Sequence, residues 1–376
     1  MEKHLVLVGG GHAHLTVLLN LPTYIQKGHK VTLIGPSPYH YYSGMGPGLL
    51  SGIYRPQDVR FHVKKMAEDR GAIFLGDRVI SIDPGRRILN LQSGNQVSYD
   101  VVSFNTGSDV PLTGVVSEGL RNIVPVKPVF NLLQAQRLLI PALKERAMNF
   151  IVVGGGPAGV EVTANLWRLV NKNSGNATIK LIAGRKLLGN LPEKVRDLTR
   201  RSLAKRGITV IEGNHVTEVA GDEIRLTDGS SNPFDVAFMA LGVQPSRIFR
   251  DSGIPTGQDG GLLVNAYLQS VAHPEMFGGG DCISFADRPL DKVGVYAVRQ
   301  NPILFHNLLA ALEGREMKTF MPQKDYMLIF NMGNGRGILW KKNFIWEGRL
   351  AFLLKDYIDR KFMRKFQVAG EADEKE

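Results

Sequence analysis

The sequence predicts an α/β protein built on two Rossmann-like dinucleotide-binding units, with an extension at its C-terminal end. Three observations predict it. A glycine-rich turn follows the apolar run Leu5–Val8, a second follows Phe150–Val153, and each is succeeded by another strand-like run. Short apolar runs bounded by glycine turns are the pattern of parallel strands buried on both faces. At roughly 150 residues per domain, a chain of 376 residues has room for two or more domains.

In the first unit, Leu5–Val8 reads as a strand, and the chain turns at Gly9 into a helix expected to run to about Leu21. Gly9 permits the tight turn. Gly11 lets the backbone approach a pyrophosphate at the helix N-terminus, where unpaired N–H groups and the helix dipole favour negative charge. His12 and Ala13 belong to the same turn. The strand Lys30–Ile34 completes a βαβ unit of about thirty residues. Two positions depart from the usual pattern: His14 holds the third glycine position, and Gly35 stands where an acidic residue would grip a ribose.

The second unit has the full GxGxxG spacing in Gly154, Gly156 and Gly159, with Pro157 and Ala158 inside the turn. Its helix is expected to reach about Val170, and its second strand is Thr178–Ile182. Two such units in one chain are internal repetition at domain scale. Tyr99–Ser108, with Thr106 and Gly107, reads as a strand ending in a glycine turn, and Phe234–Val243, with Gly242, repeats it. Met276–Asp281, with Gly280, then precedes a helix of about Val295–Leu312, with Pro302 as a kink.

The net charge of +11 and the pI of about 9.6 suit anionic partners such as nucleotides or phospholipid headgroups, or a plain basic surface. No DNA- or RNA-reading motif is present, so nucleic acid is not an expected partner. The one cysteine, Cys282, rules out an intrachain disulfide, a CxxC redox centre and any site needing two thiols. It reads as a small buried residue. No metal-ligand cluster is expected. No signal peptide precedes Leu5–Val8, and no apolar run reaches the roughly 18 residues of a spanning helix. The expectation is a cytoplasmic protein, soluble or peripheral on the cytoplasmic face of the membrane.

With these motifs the chain resembles the two-dinucleotide flavoprotein superfamily that includes glutathione reductase-like enzymes and type II NADH dehydrogenases. The narrower resemblance is to the type II NADH dehydrogenase-like branch, which includes flavoprotein modules fused to some selenophosphate synthetases. It rests on Gly9–His14, Tyr42–Gly48, Gly154–Glu161 and Gly294–Gln300, and it spans nearly the whole chain except Glu371–Glu376. It implies a glutathione reductase-like FAD/NAD(P) fold. A discontinuous FAD domain would comprise 1–112 and 257–316, a nicotinamide domain 113–256, and an extension 317–376.

The resemblance also implies roles. Asp281, before the last FAD helix, would accept a hydrogen bond from a ribityl hydroxyl, and the N-terminus of that helix, at Val295, would stabilise charge on reduced flavin. Glu161 would meet the nicotinamide carboxamide and orient the hydride donor. Lys127 would approach the flavin edge. Tyr41, Tyr42, Ser43 and Met45 would lie in a loop covering part of the isoalloxazine, with core packing an equal reading for the tyrosines; His40 receives no role. Gln300 matches the final glutamine of the motif that lies close to flavin and quinone in type II NADH dehydrogenases, and Tyr296 replaces the first. A tyrosine can stack on a quinone ring and donate a hydrogen bond. After the second strand of the second unit stand Ala183, Gly184, Arg185 and Lys186. The absence of a carboxylate and the presence of Arg185 suit NADPH at least as well as NADH.

Residues 341–366 hold eight Lys/Arg and three Asp/Glu, a net +5, and Leu350, Leu353, Leu354, Tyr357 and Ile358 share a helix face. Trp340, Phe344 and Trp346 lie just upstream. This reads as a membrane-surface helix, or as one that docks on the FAD domain or on a second subunit of a homodimer. The expected activity is hydride transfer from NADH or NADPH to FAD, then two electrons to a quinone. The alternative is a flavoprotein reductase serving a protein partner or a selenium or sulfur metabolite.

Overall fold

A computed structural model describes residues 1–112, 116 and 122–374. Residues 113–115, which open the expected nicotinamide domain, lie outside the described residues. Strands β1 (His4–Val8), β2 (Lys30–Ile34), β3 (Ile73–Leu75) and β4 (Val101–Phe104) pair in parallel in the order β4-β1-β2-β3. Leu5, Val6 and Leu7 are fully buried, as a central parallel strand requires.

The helix expected after Gly9 is broken. His12–His14 form one 3-10 turn, α1 covers Leu15–Leu19, and α2 covers Leu21–Ile25. Pro22 lies in the first turn of α2, where its missing N–H is tolerated; inside one continuous helix it would remove a hydrogen bond. A short helix, α3 (Gly46–Leu50), follows.

The second sheet comprises β5 (Ile123–Pro125), β6 (Met148–Val153), β7 (Ala177–Ile182), β8 (Thr209–Ile211) and β9 (Val236–Met239), parallel in the order β5-β9-β6-β7-β8. Helix α4 (Pro157–Lys172) follows β6 with Pro157 at its start. The chain passes between the two sheets through Ser108–Asp109 and Gln244–Pro245, which pair antiparallel with each other. It then adds β10 (Met276–Gly278) beside β4. Helix α5 (Gly294–Glu313) contains Pro302 and ends on Gly314, whose φ of +66 provides the left-handed cap.

The core has two large clusters, one around each parallel sheet, and a small third of Ile329, Leu339 and Ala351 within the extension. Ile248, Phe249 and Ile254 pack in the first, so the return crossing lies near Gln244–Pro245 rather than at the expected 256/257 border. The extension contributes to both large clusters. Its antiparallel sheet, β11 (Leu328–Asn331), β12 (Gly337–Lys341) and β13 (Phe344–Gly348), places Phe330 and Ile338 in the second core. The last long helix, α6 (Arg349–Phe366), places Met363 and Phe366 in the first. Among the described residues no helix is long and apolar enough to cross a membrane.

Candidate cofactor and hydride-transfer site

Asn105, at the end of β4, organises the first glycine turn. Its Oδ1 accepts from the Ala13 amide at 2.9 Å, and its Nδ2 donates to the Gly279 carbonyl at 2.6 Å. A Cβ at Gly9 would overlap the Asn105 carbonyl oxygen, and one at Gly11 would overlap Oδ1. Gly9 also has a φ of +86. The turn is therefore held flush against the end of β4. Gly11, at the N-terminus of the 3-10 turn, has no side-chain cap, as a phosphate-binding end requires.

His14 fills the third glycine position as a brace. Its Nδ1 lies 2.6 Å from the Gly9 carbonyl and its Nε2 lies 2.8 Å from Ser103 Oγ. A carbonyl only accepts, so Nδ1 carries the proton and Nε2 accepts from the serine. Burial holds its pKa down to about 4, which keeps it neutral. Its side chain thus ties the turn to β4 instead of reaching a cofactor. His12 is different. Its Nδ1 meets His40 Nε2 at 3.2 Å, while its Nε2 is buried without a hydrogen-bond partner. An orphaned buried ring nitrogen beside the glycine turn fits a phosphate or flavin group that would satisfy it. Burial, helped by Lys127, lowers His12 to about 4.

On the far side of Asn105, Gly280 has a φ of +74, and its amide donates to Gln300 Oε1 at 2.6 Å. Gln300 is 1% exposed. Through Oε1 it secures the turn before Asp281, and it lines one cavity with Asp281 and Tyr296. Tyr296 is also largely buried: its hydroxyl donates to the Gln323 carbonyl at 3.4 Å and its ring meets Tyr326 edge-on. Asp281 Oδ2 accepts from Lys127 Nζ at 2.6 Å and from Ser108 Oγ at 2.9 Å. One carboxylate oxygen is thus committed to the protein, and a ribityl hydroxyl would meet the other. Lys127 and Asp281, 154 residues apart, come together as a pair. Ser43 Oγ lies against Gly294 at the start of α5, next to Val295, and Thr106 and Gly107 follow β4 with Thr106 exposed.

The second glycine turn is built by the same logic. Gly154 has a φ of +128 and its Cβ would overlap the Ala240 carbonyl oxygen; a Cβ at Gly159 would overlap the Gly154 carbonyl oxygen. Gly156 caps α4 without a side-chain bond and faces open space, and Pro157 and Ala158 are exposed in the first turn. Arg185 stands exposed after β7 and Gly242 exposed after β9.

Glu161 lies one turn into α4. Its Oε1 accepts from the Asn331 amide at 2.7 Å. Burial raises its carboxyl to about 7, with Lys355 pulling the other way. Tyr42 packs its ring on His12 and Phe362, and its hydroxyl donates to Asp359 Oδ1 at 3.0 Å. Asn105, Asn331, Lys355 and Asp359 were not singled out in the sequence.

Comparison with known proteins places these features. Residues 3–306 match the family model described as pyridine nucleotide-disulphide oxidoreductase. Ferroptosis suppressor protein 1 of Xenopus laevis is 25% identical over 349 residues, covering 89% of this chain and 87% of that protein. NDH2 from Plasmodium falciparum, in complex with NADH, superposes with a TM-score of 0.82 at 15% identity, covering 99% of this chain and 98% of that one. The sulfide:quinone oxidoreductase from Aquifex aeolicus gives a TM-score of 0.80 at 18% identity, covering 98% and 92%. These two likenesses are of fold. The chain belongs to the pyridine nucleotide-disulphide oxidoreductase family, as a two-dinucleotide-domain oxidoreductase that uses FAD and NAD(P)H.

Proposed function

We propose that this chain is an NAD(P)H:quinone oxidoreductase working at a membrane surface. One observation carries the reading: Ser51, which follows α3 in the first unit, donates through Oγ to Asn165 Oδ1 at 2.8 Å, one turn beyond Glu161 on the helix of the second glycine turn, so the two cofactor mounts converge. FAD held there would supply the two-electron relay from the reduced nicotinamide to the acceptor. The protein holds the parts in register. The first glycine turn and His12 would hold the pyrophosphate. Asp281, aligned by Lys127, would hold the ribityl chain. Glu161 would accept from the carboxamide and fix the hydride donor in the narrow geometry transfer demands. Arg185 would take the 2′-phosphate of NADPH.

Three features support quinone as acceptor. The lone cysteine, Cys282, is buried and burial raises its thiol pKa, so thiol-disulfide chemistry has no nucleophile here. One structural neighbour is a sulfide:quinone oxidoreductase by its name. Leu350, Leu353, Leu354, Tyr357 and Ile358 are all exposed on α6, with Phe344 and Trp346 exposed beside them. This apolar stripe amid basic residues suits an anionic bilayer surface, where quinones dissolve. The opposite side of α6 docks on the FAD unit, so the two expectations for this helix apply to different faces.

Anaerobic stopped-flow mixing tests the reading. Flavin absorbance should bleach with NADH or NADPH and return on adding a quinone. Failure to bleach removes the hydride half; bleaching without return on quinone removes the acceptor half.

A further inference from the structure

Helix α6 carries two charged residues on its buried side. Lys355 is 9% exposed and Asp359 is 5% exposed. Lys355 Nζ donates to Asp359 Oδ2 at 2.7 Å and to the Gly44 carbonyl at 2.7 Å. Asp359 also accepts from Tyr42, beside Gly44 in the loop before α3. A buried ion pair gives weak net stabilisation, because desolvation offsets its attraction. Its position is more informative than its strength. Packing brings α6 to Glu161: Asn331, whose amide donates to Glu161 Oε1 at 2.7 Å, pairs with Gly337 across β11 and β12, and a Cβ at Gly337 would overlap the Phe352 amide, one turn before Lys355 on α6. From there the ammonium favours the Glu161 carboxylate and the Asp359 carboxylate disfavours it. Burial works against the charge on Lys355, but Asp359 and Glu161 together outweigh it.

The remaining neighbours of Glu161 are neutral at working pH. Asn331 on β11 offers its backbone amide. Asn165, one turn along α4, bonds Ser51 and the Asn331 carbonyl. Helix α3 has no ionisable side chain. Tyr42 keeps its proton, since burial and Asp359 push its pKa well above the usual phenol value.

We propose that α6 is a working part of the hydride-transfer site, with Lys355 and Asp359 as positioning residues that set the charge of Glu161 from opposite sides. This rests on the role given to Glu161 above and deepens it. The C-terminal extension then decides the pH range in which the nicotinamide is gripped. With Oε1 taken by the Asn331 amide, only Oε2 is left for the carboxamide; protonation turns that acceptor into a donor, so productive binding is lost as pH falls through its pKa.

The test uses full-length, FAD-loaded protein and the variants Lys355→Met, Lys355→Arg and Asp359→Asn. Difference infrared spectroscopy follows the C=O stretch of protonated Glu161, assigned by its loss in Glu161→Gln, through a pH titration without nicotinamide. The pH dependence of flavin bleaching is measured in parallel. Lys355→Met should move both midpoints up by about one pH unit, the lower end of what an adjacent charge produces. Lys355→Arg should restore them, and Asp359→Asn should move them down. Loss of packing alone would not give opposite signs. Unmoved midpoints, or shifts in the same direction, overturn the proposal while leaving the hydride reading intact. Wild-type protein that does not bleach overturns both. Should Lys355→Met fail to fold, the downward shift in Asp359→Asn decides.

Discussion

Asn105→Ala probes the joint on which the flavin mount depends. Asn105 is 5% exposed and makes two side-chain bonds, from the Ala13 amide and to the Gly279 carbonyl. Truncation leaves the Ala13 amide unmatched and the Gly279 carbonyl with only the weak Cys282 thiol at 3.3 Å, and an unmatched buried group costs about 1–3 kcal/mol. A water entering the space left by the amide would recover part of that. The net expectation is about 2–3 kcal/mol, spent on ordering the turn before the flavin binds. Since 1.4 kcal/mol is tenfold in affinity, Kd for FAD should rise roughly 30- to 150-fold. Protein prepared without added flavin should be pale, and excess FAD should restore its colour. Calorimetric titration of apoprotein with FAD measures the change. A variant that binds FAD as tightly as wild type, with an unchanged melting temperature, would refute the assignment of Asn105 as the clasp. Asn105→Asp should be worse than Asn105→Ala, because it loses the donor and sets a carboxylate against the Gly279 carbonyl.

Gly159→Ala should abolish bleaching by NAD(P)H while FAD stays bound, because the new Cβ overlaps the Gly154 carbonyl oxygen and forces α4 off the strand end; absorbance titration with each cofactor checks it. Arg185→Ala should raise KM for NADPH several-fold more than KM for NADH, as expected when a phosphate contact is removed; equal changes in steady-state assays would show Arg185 to be solvated. Leu353→Glu with Tyr357→Glu should cut binding to anionic vesicles at least tenfold in a flotation assay, with flavin content intact, because both residues are exposed. For stability, Glu161 has its folded pKa raised to about 7 from 4.5. Its contribution is full below pH 4.5 and is lost as pH rises through 7. Glu161→Gln should therefore melt higher than wild type at pH 8 and lose that advantage at pH 5.

The parts of this fold that announce themselves are those whose physics is local. A buried strand running into a glycine turn is fixed by residues within a dozen positions, so both units and the apolar face of α6 were legible. The helix expected to run to about Leu21 stops at Leu19, and the second helix, Leu21–Ile25 with Pro22 in its first turn, was not foreseen. The clasp was not legible. Asn105 sits 92 residues from Ala13 and 174 from Gly279, and nothing near it marks a strand-end asparagine as more than a turn former. Lys355 bonds Gly44 across 311 residues. On its helix it looked like another solvent-facing lysine, since the sequence does not say which polar side a second domain covers. Gln300 was legible only through resemblance, which did not show that its Oε1 would be taken by the Gly280 amide.

Helix α6 is the last long element of the chain, and it serves the interior with one side and the surroundings with the other. Preparations of this protein are therefore sensitive to what is done at the tail. An affinity tag, a clipped end or a shortened version made to improve solubility would first loosen Glu371 and Glu374 from His62 and Arg60 of the FAD unit, and through α6 would reach Lys355. Kinetic differences among such preparations would report on the tail's seating, and a turnover number is comparable between laboratories only when the carboxyl end is the same.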